Sequence, residues 1–135
     1  SLYWIAPIII TSNSVTNNIY TINTALFIFI SGTIIHFLSD MQKYIHLKLQ
    51  PETLITTGMF SKCRNINYFG ELLIYTGFLL LTIESSLWWV PILILGAFVL
   101  SVWIPGMIRI DKSLSRFEEH KEYKKKTAFI IPFIF

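Results

Sequence analysis

The sequence holds a single cysteine, Cys63, in 135 residues. That excludes an intrachain disulfide and any metal site built from cysteines. Charge is scarce too: 14% of residues are Asp, Glu, Lys or Arg, against 53% hydrophobic. With a mean hydropathy of +0.58, the chain does not read as an ordinary water-soluble domain. Alanine occurs 4 times and isoleucine 23 times, a bias better explained by an AT-rich coding sequence than by the fold. No charged segment precedes the apolar Leu2-Tyr-Trp-Ile-Ala-Pro-Ile-Ile-Ile10, so this stretch is not expected to be a secretory signal peptide. These residues read as the last turns of an apolar span, and the chain as the C-terminal part of a longer protein. Cys63 stands between Lys62 and Arg64, a setting that lowers a thiol pKa; we still read it as incidental.

The apolar residues fall in blocks rather than in amphipathic periods, which predicts membrane spans. The expected spans are residues 19–38, 67–83 and 87–108, with polar segments at 39–66 and 109–127 and a polar loop at 11–18. The fold class is therefore all-α: a polytopic membrane helical bundle, one domain over residues 1–135. It has about three full transmembrane helices and a C-terminal amphipathic surface helix. Trp88, Trp89 and Trp103 bracket the last span as interfacial aromatics do. Pro105 is expected to kink or end that helix. The apolar end, residues 128–135, is too short to cross and is expected to fold back on the bundle or dip into the interface.

All 11 Lys and Arg lie in residues 43–64 or 109–126, and loops 11–18 and 84–86 contain none. Both basic segments then face one side, which the positive-inside rule makes cytoplasmic or its equivalent. The net charge of +3 is thus a membrane-face feature and does not call for nucleic acid. Anionic lipid or an anionic cofactor would meet it there.

The polar chemistry concentrates at the same face. His36, Asp40 and Lys43 follow i, i+4, i+7 spacing at the exit of the first span. Arg64-Asn-Ile-Asn-Tyr-Phe-Gly-Glu71 enters the second, and Arg109, Asp111, Lys112 and Arg116 leave the third, followed by Tyr123. On a helix Asn67, Tyr68 and Glu71 share one face, and Gly70 permits close backbone approach. A carboxylate in an apolar turn is costly, so Glu71 is a functional candidate; capping of the helix N-terminus is the plainer alternative. Arg and Lys clamp phosphates, while Asn, Asp and Glu hydrogen-bond ribose hydroxyls or base edges. The set suits a nucleotide-type cofactor at the mouth of a bundle, and nothing in it has metal-ligand spacing.

Leu54-Ile-Thr-Thr-Gly-Met-Phe60, Arg64 to Glu71, Ser39-Asp-Met-Gln-Lys43, residues 105–117 and the closing Ile131-Pro-Phe-Ile-Phe135 carry a likeness. Together they resemble the C-terminal domain of the steroid 5α-reductase (3-oxo-5α-steroid 4-dehydrogenase) family and its microbial relatives, over about residues 33–135. The resemblance implies a multi-helix membrane enzyme that binds NADPH and reduces a carbon–carbon double bond of a sterol or other apolar lipid. By position it implies a cofactor site of Asp40, Arg64, Asn67, Tyr68, Glu71, Arg109, Asp111 and Tyr123. It names no catalytic residue, because the family's substrate-binding groups come from upstream helices. A related scaffold, the isoprenylcysteine carboxyl methyltransferases, uses S-adenosylmethionine and carries an R-H-P-x-Y-x-G motif. Asn65 and Ile66 stand at its His and Pro positions, which favours the reductase side. A non-catalytic, reductase-like subunit of a larger membrane complex is the third reading. The resemblance implies the endoplasmic reticulum, with the mitochondrial inner membrane as the alternative.

Overall fold

A computed structural model describes residues 2–13 and 16–135. A short turn of 3₁₀ helix, Leu2–Trp4, leads into α1, Ile5–Ser12. The expected polar loop at 11–18 is thus helical at its start, and residues 14 and 15 lie outside the described residues. Asn18 caps α2, Ile19–Leu49, by accepting from the Tyr20 amide. The cap satisfies one of the N–H groups that every helix start leaves unpaired.

Helix α2 does not stop at the end of its apolar stretch. It continues for 31 residues, about 46 Å at 1.5 Å per residue, and so lifts Asp40, Lys43 and His46 on a rigid extension. Gln42 ties the following loop to it, donating to Thr57 O at 2.8 Å and accepting from the Met59 amide at 2.9 Å. Gly58 adopts φ 59° beneath that side chain, a backbone conformation that glycine takes without strain.

Helix α3, Ile66–Leu80, runs antiparallel to α2. The contacts pair residue 25 with 77, 32 with 70 and 36 with 67. Small residues make this seam. A Cβ on Gly70 would stand 2.6 Å from the His36 amide nitrogen, and one on Gly32 would stand 2.6 Å from Gly70 O. Small-residue interfaces of this kind let membrane helices meet backbone to backbone. Ser39, fully buried, continues the seam.

Among the described residues, two helices are long and apolar enough to cross a membrane: Ile19–Leu49 and the continuous Trp89–Leu114. Of the three expected spans, the one at 67–83 is not confirmed as a full one. Helix α3 has 15 residues, about 22 Å, against roughly 30 Å of hydrocarbon. Its polar start at residues 64–65 is drawn into a turn instead of lengthening the helix. Large apolar side chains stand exposed along the outer faces, among them Phe27 at 73%, Phe37 at 68% and Leu100 at 68%. Surfaces of this extent are consistent with contact with a lipid bilayer.

The last helix does not break at Pro105. Helix α4, Trp89–Phe98, passes through one π turn, Val99–Trp103, into α5, Ile104–Leu114. The Ile104 amide bonds Val99 O, five residues back, and Pro105 stands in the first turn of the next α segment, where its missing N–H is tolerated. Trp103 lies at this turn and packs on Tyr68, Tyr75 and Phe98 with ring centroids 5.5–5.9 Å apart.

The polar segment 109–127 is not one continuous surface helix. The chain turns at residues 115–119 and restarts as α6, His120–Lys126. His120 and Tyr123 are buried, so α6 is docked on the bundle. The apolar end does fold back. Cys63 and Ala128 form an isolated parallel bridge, and the amides of Arg64 and Asn65 donate to Ala128 O and Phe129 O at 2.9 and 3.2 Å.

Candidate functional site

At the polar end of the bundle, four chain segments surround an open cleft. Lys43 and Leu47 come from α2, and residues 52–55 from the loop. Arg64, Asn65, Asn67 and Tyr68 come from the start of α3, and Arg116, Phe117 and Tyr123 from the α5–α6 turn and α6. Its volume is about 140 Å³. That volume fits a segment of a ligand; a whole drug-sized molecule occupies roughly 300 Å³ or more.

Arg64 is the best-anchored residue of the cleft. Its Nη1 donates to Thr127 O at 2.8 Å and to Lys124 O at 3.1 Å. Its Nε lies 3.1 Å from Asp111 Oδ1, and the guanidinium sits 5.5 Å from the Phe129 ring centroid. The Nε–H is nevertheless without a hydrogen bond, because it points off the line to Asp111. The contact is an ion pair held by charge rather than by a directed bond.

Asp111 is the hub behind the cleft wall. His120 Nε2 lies 3.1 Å from its Oδ1, and Lys124 Nζ 3.0 Å from its Oδ2. The carboxylate is beyond the apolar part of α5, at its charged end. Burial pushes its pKa up, but the hydrogen bonds from Lys124 and His120 and the Arg64 charge outweigh burial and hold it below the ordinary Asp range. Tyr123 donates to Phe60 O at 2.7 Å. Burial drives its hydroxyl well above the usual phenol value, so it serves as a fixed donor.

The structure divides the expected cofactor set. Arg64, Asn67, Tyr68 and Tyr123 line the cleft together. Asp111 touches Arg64 but faces away from the cleft. Asp40 and Glu71 belong to a second cluster on the α2–α3 seam, where His36 Nε2 stands 3.5 Å from Asp40 Oδ2 and His36 Nδ1 donates to Asn67 O at 3.1 Å. Glu71 feels both His36 and Asp40 and does not line the cleft. Arg109 is exposed and makes no ion pair among the described residues. Cys63 is fully buried, its thiol 3.2 Å from Ile130 O, and burial raises its pKa instead of the flanking cations lowering it.

Sequence reasoning missed His120, Lys124 and Thr127. His120 carried no signal, since nine residues separate it from Asp111 and only the turn at 115–119 brings it back. Lys124 was hidden in the Lys124-Lys-Lys126 run, which read as a solvated collar.

A family model described as "Protein of unknown function (DUF1295)" matches residues 2–127. The chain belongs to the DUF1295 family. The match covers the cleft, the glycine seam and the Asp111 hub, so all three lie within the DUF1295 region. No curated protein and no solved structure matches this DUF1295 chain. Among the described residues no group of His, Cys, Asp and Glu is placed to hold a metal ion.

Proposed function

We propose that the protein is a membrane-embedded, NADPH-dependent reductase of a carbon–carbon double bond in a sterol-like or other apolar lipid, and that the cleft is its nucleotide mouth. The observation that carries this reading is the composition of the cleft: Lys43, Arg64 and Arg116, against the single acid Glu52, converge with Asn65, Asn67, Tyr68 and Tyr123. The cations suit the phosphates of a dinucleotide, and the amides suit ribose or an amide edge. The first-turn amides of α3 have no intrahelical partner and add a partial positive charge to the same mouth. In this reading the bilayer delivers the substrate along α2 and α4, both basic segments face the cytoplasm, and the endoplasmic reticulum is the compartment.

S-adenosylmethionine carries no phosphate and would leave Lys43 and Arg116 without an ion-pair partner among the described residues, so methyl transfer ranks below reduction. A second reading, a reductase-shaped subunit without turnover, draws on a different observation. The cleft volume of about 140 Å³ holds only part of a dinucleotide, and the Tyr123 hydroxyl is already committed to Phe60 O.

Equilibrium binding to the purified chain separates the readings. Saturable NADPH binding with none for S-adenosylmethionine supports the reductase. The reverse pattern moves the protein to methyl transfer, and no binding of either leaves the structural subunit.

A further inference from the structure

Not every basic residue at the polar end serves the nucleotide cleft. A second hollow of about 360 Å³ opens between the end of α5 and α6, bounded by Ile108, Lys112, Ser115, Lys121 and Lys124. It shares no residue with the cleft. The one acid lining it, Asp111, already divides its charge among Arg64, His120 and Lys124. Lys112 and Lys121 make no ion pair among the described residues. Glu118 and Glu119 of the adjoining turn and Glu122 of α6 are exposed and do not line the hollow, and Glu122 is paired with Lys126 at 3.6 Å. Three lysines thus line the hollow with one carboxylate that is already paired, and the hollow keeps uncompensated positive charge.

Its depth matters as much as its charge. Ile108, 55% exposed, is the last residue of the apolar run before Arg109, so the hollow stands where headgroups meet hydrocarbon. We propose that it binds the phosphate of an anionic phospholipid, with Lys112 and Lys121 on the phosphate and Ile108 against the first acyl carbons. Free phosphate would satisfy the lysines equally well; only a lipid also uses the apolar edge. The proposal rests on membrane embedding and not on the reductase reading.

The test reconstitutes the full chain in nanodiscs of phosphatidylcholine, with or without phosphatidylserine, and counts retained anionic lipid by native mass spectrometry. A juxtamembrane lysine contributes about fivefold to binding at an anionic surface, so Lys112→Gln with Lys121→Gln is expected to lower phosphatidylserine retention about 25-fold. Lys125→Gln with Lys126→Gln removes the same charge outside the hollow and is expected to lower retention clearly less than the Lys112/Lys121 pair does. Lys112→Arg with Lys121→Arg is expected to restore it. Equal losses in the two glutamine pairs would mean a diffuse basic collar and overturn the site. Displacement of the lipid by excess inorganic phosphate would reassign it to free phosphate. Failure to insert into neutral phosphatidylcholine would overturn embedding and the proposal together. NADPH binding on the same samples reports separately on the reductase reading.

Discussion

Arg64 Nε and Asp111 Oδ1 lie 3.1 Å apart, although 47 residues separate them in the chain (111 − 64). Both side chains are nearly buried, at 7% and 11% exposure. One wall of the cleft therefore depends on a residue that does not line it. The start of α3 is fixed by the end of α5, and the link is electrostatic.

Asp111→Asn leaves Arg64 buried opposite a neutral amide. Removing one partner of a buried pair costs about 3–5 kcal/mol, and a corresponding fall in thermal stability of the detergent-solubilised protein is expected. Lys124 is 57% exposed, so Lys124→Ala is expected to cost at most about 1 kcal/mol. Equal losses for the two variants would remove Asp111 from its central role.

The same carboxylate gives an acid limb. Its folded pKa lies below the ordinary Asp range, so its contribution is complete above the unfolded value near 4 and is lost as pH falls through the folded value. A melting-temperature profile taken downward from neutral pH should therefore decline in acid, and Asp111→Asn should flatten that limb. An unchanged acid limb in the variant would assign the loss to other carboxylates.

Nucleotide binding should separate the two polar clusters. Asn67→Ala removes a group on the cleft and should weaken NADPH binding by about 1–3 kcal/mol, or roughly five- to 150-fold. Glu71→Gln lies on the α2–α3 seam and should leave the affinity unchanged. Calorimetric titration of both variants decides between this assignment and a single site spanning the two clusters.

The glycines make a graded set. Gly70→Ala would force apart two backbones already in contact, and an overpacked interface costs about 1–3 kcal/mol. At Gly96 an added methyl group would meet nothing within 4 Å, so Gly96→Ala should be neutral or stabilise by about 0.5–1 kcal/mol. Thermal unfolding that ranks the two the other way would contradict the packing of α2 on α3.

Sidedness can be read with introduced thiols, because the native Cys63 is fully buried and should stay unlabelled. Lys48→Cys and Lys121→Cys should react from the same side of sealed vesicles, and Ser86→Cys from the opposite side. Labelling of positions 48 and 121 from opposite sides would break the proposed topology.

The helical class and the gathering of basic residues at one end were legible in the sequence, because blocks of apolar residues and the placement of Lys and Arg are one-dimensional signals. Gly70 was legible as well, since only a missing side chain allows such close approach. The length of α3 was not: hydropathy alone could not show that residues 64–65 turn aside to meet Ala128 and Phe129. Nor could it show the reversal at 115–119 that returns His120 and Lys124 to Asp111. Helical spacing put Asn67, Tyr68 and Glu71 on one face, but the width of the cleft took only the first two. Such partitions depend on which neighbours arrive from distant parts of the chain.

The π turn at Val99–Trp103 also acts as a phase device. One extra residue in a helix rotates everything after it by about 100° relative to an unbroken α helix. Without that offset, the azimuth that now carries Asp111 toward Arg64 would carry a neighbouring residue instead, and the carboxylate would point away from Arg64. A single-residue deletion within 99–103 is therefore a register mutation: it leaves each interaction partner in the sequence and misaims all of them at once.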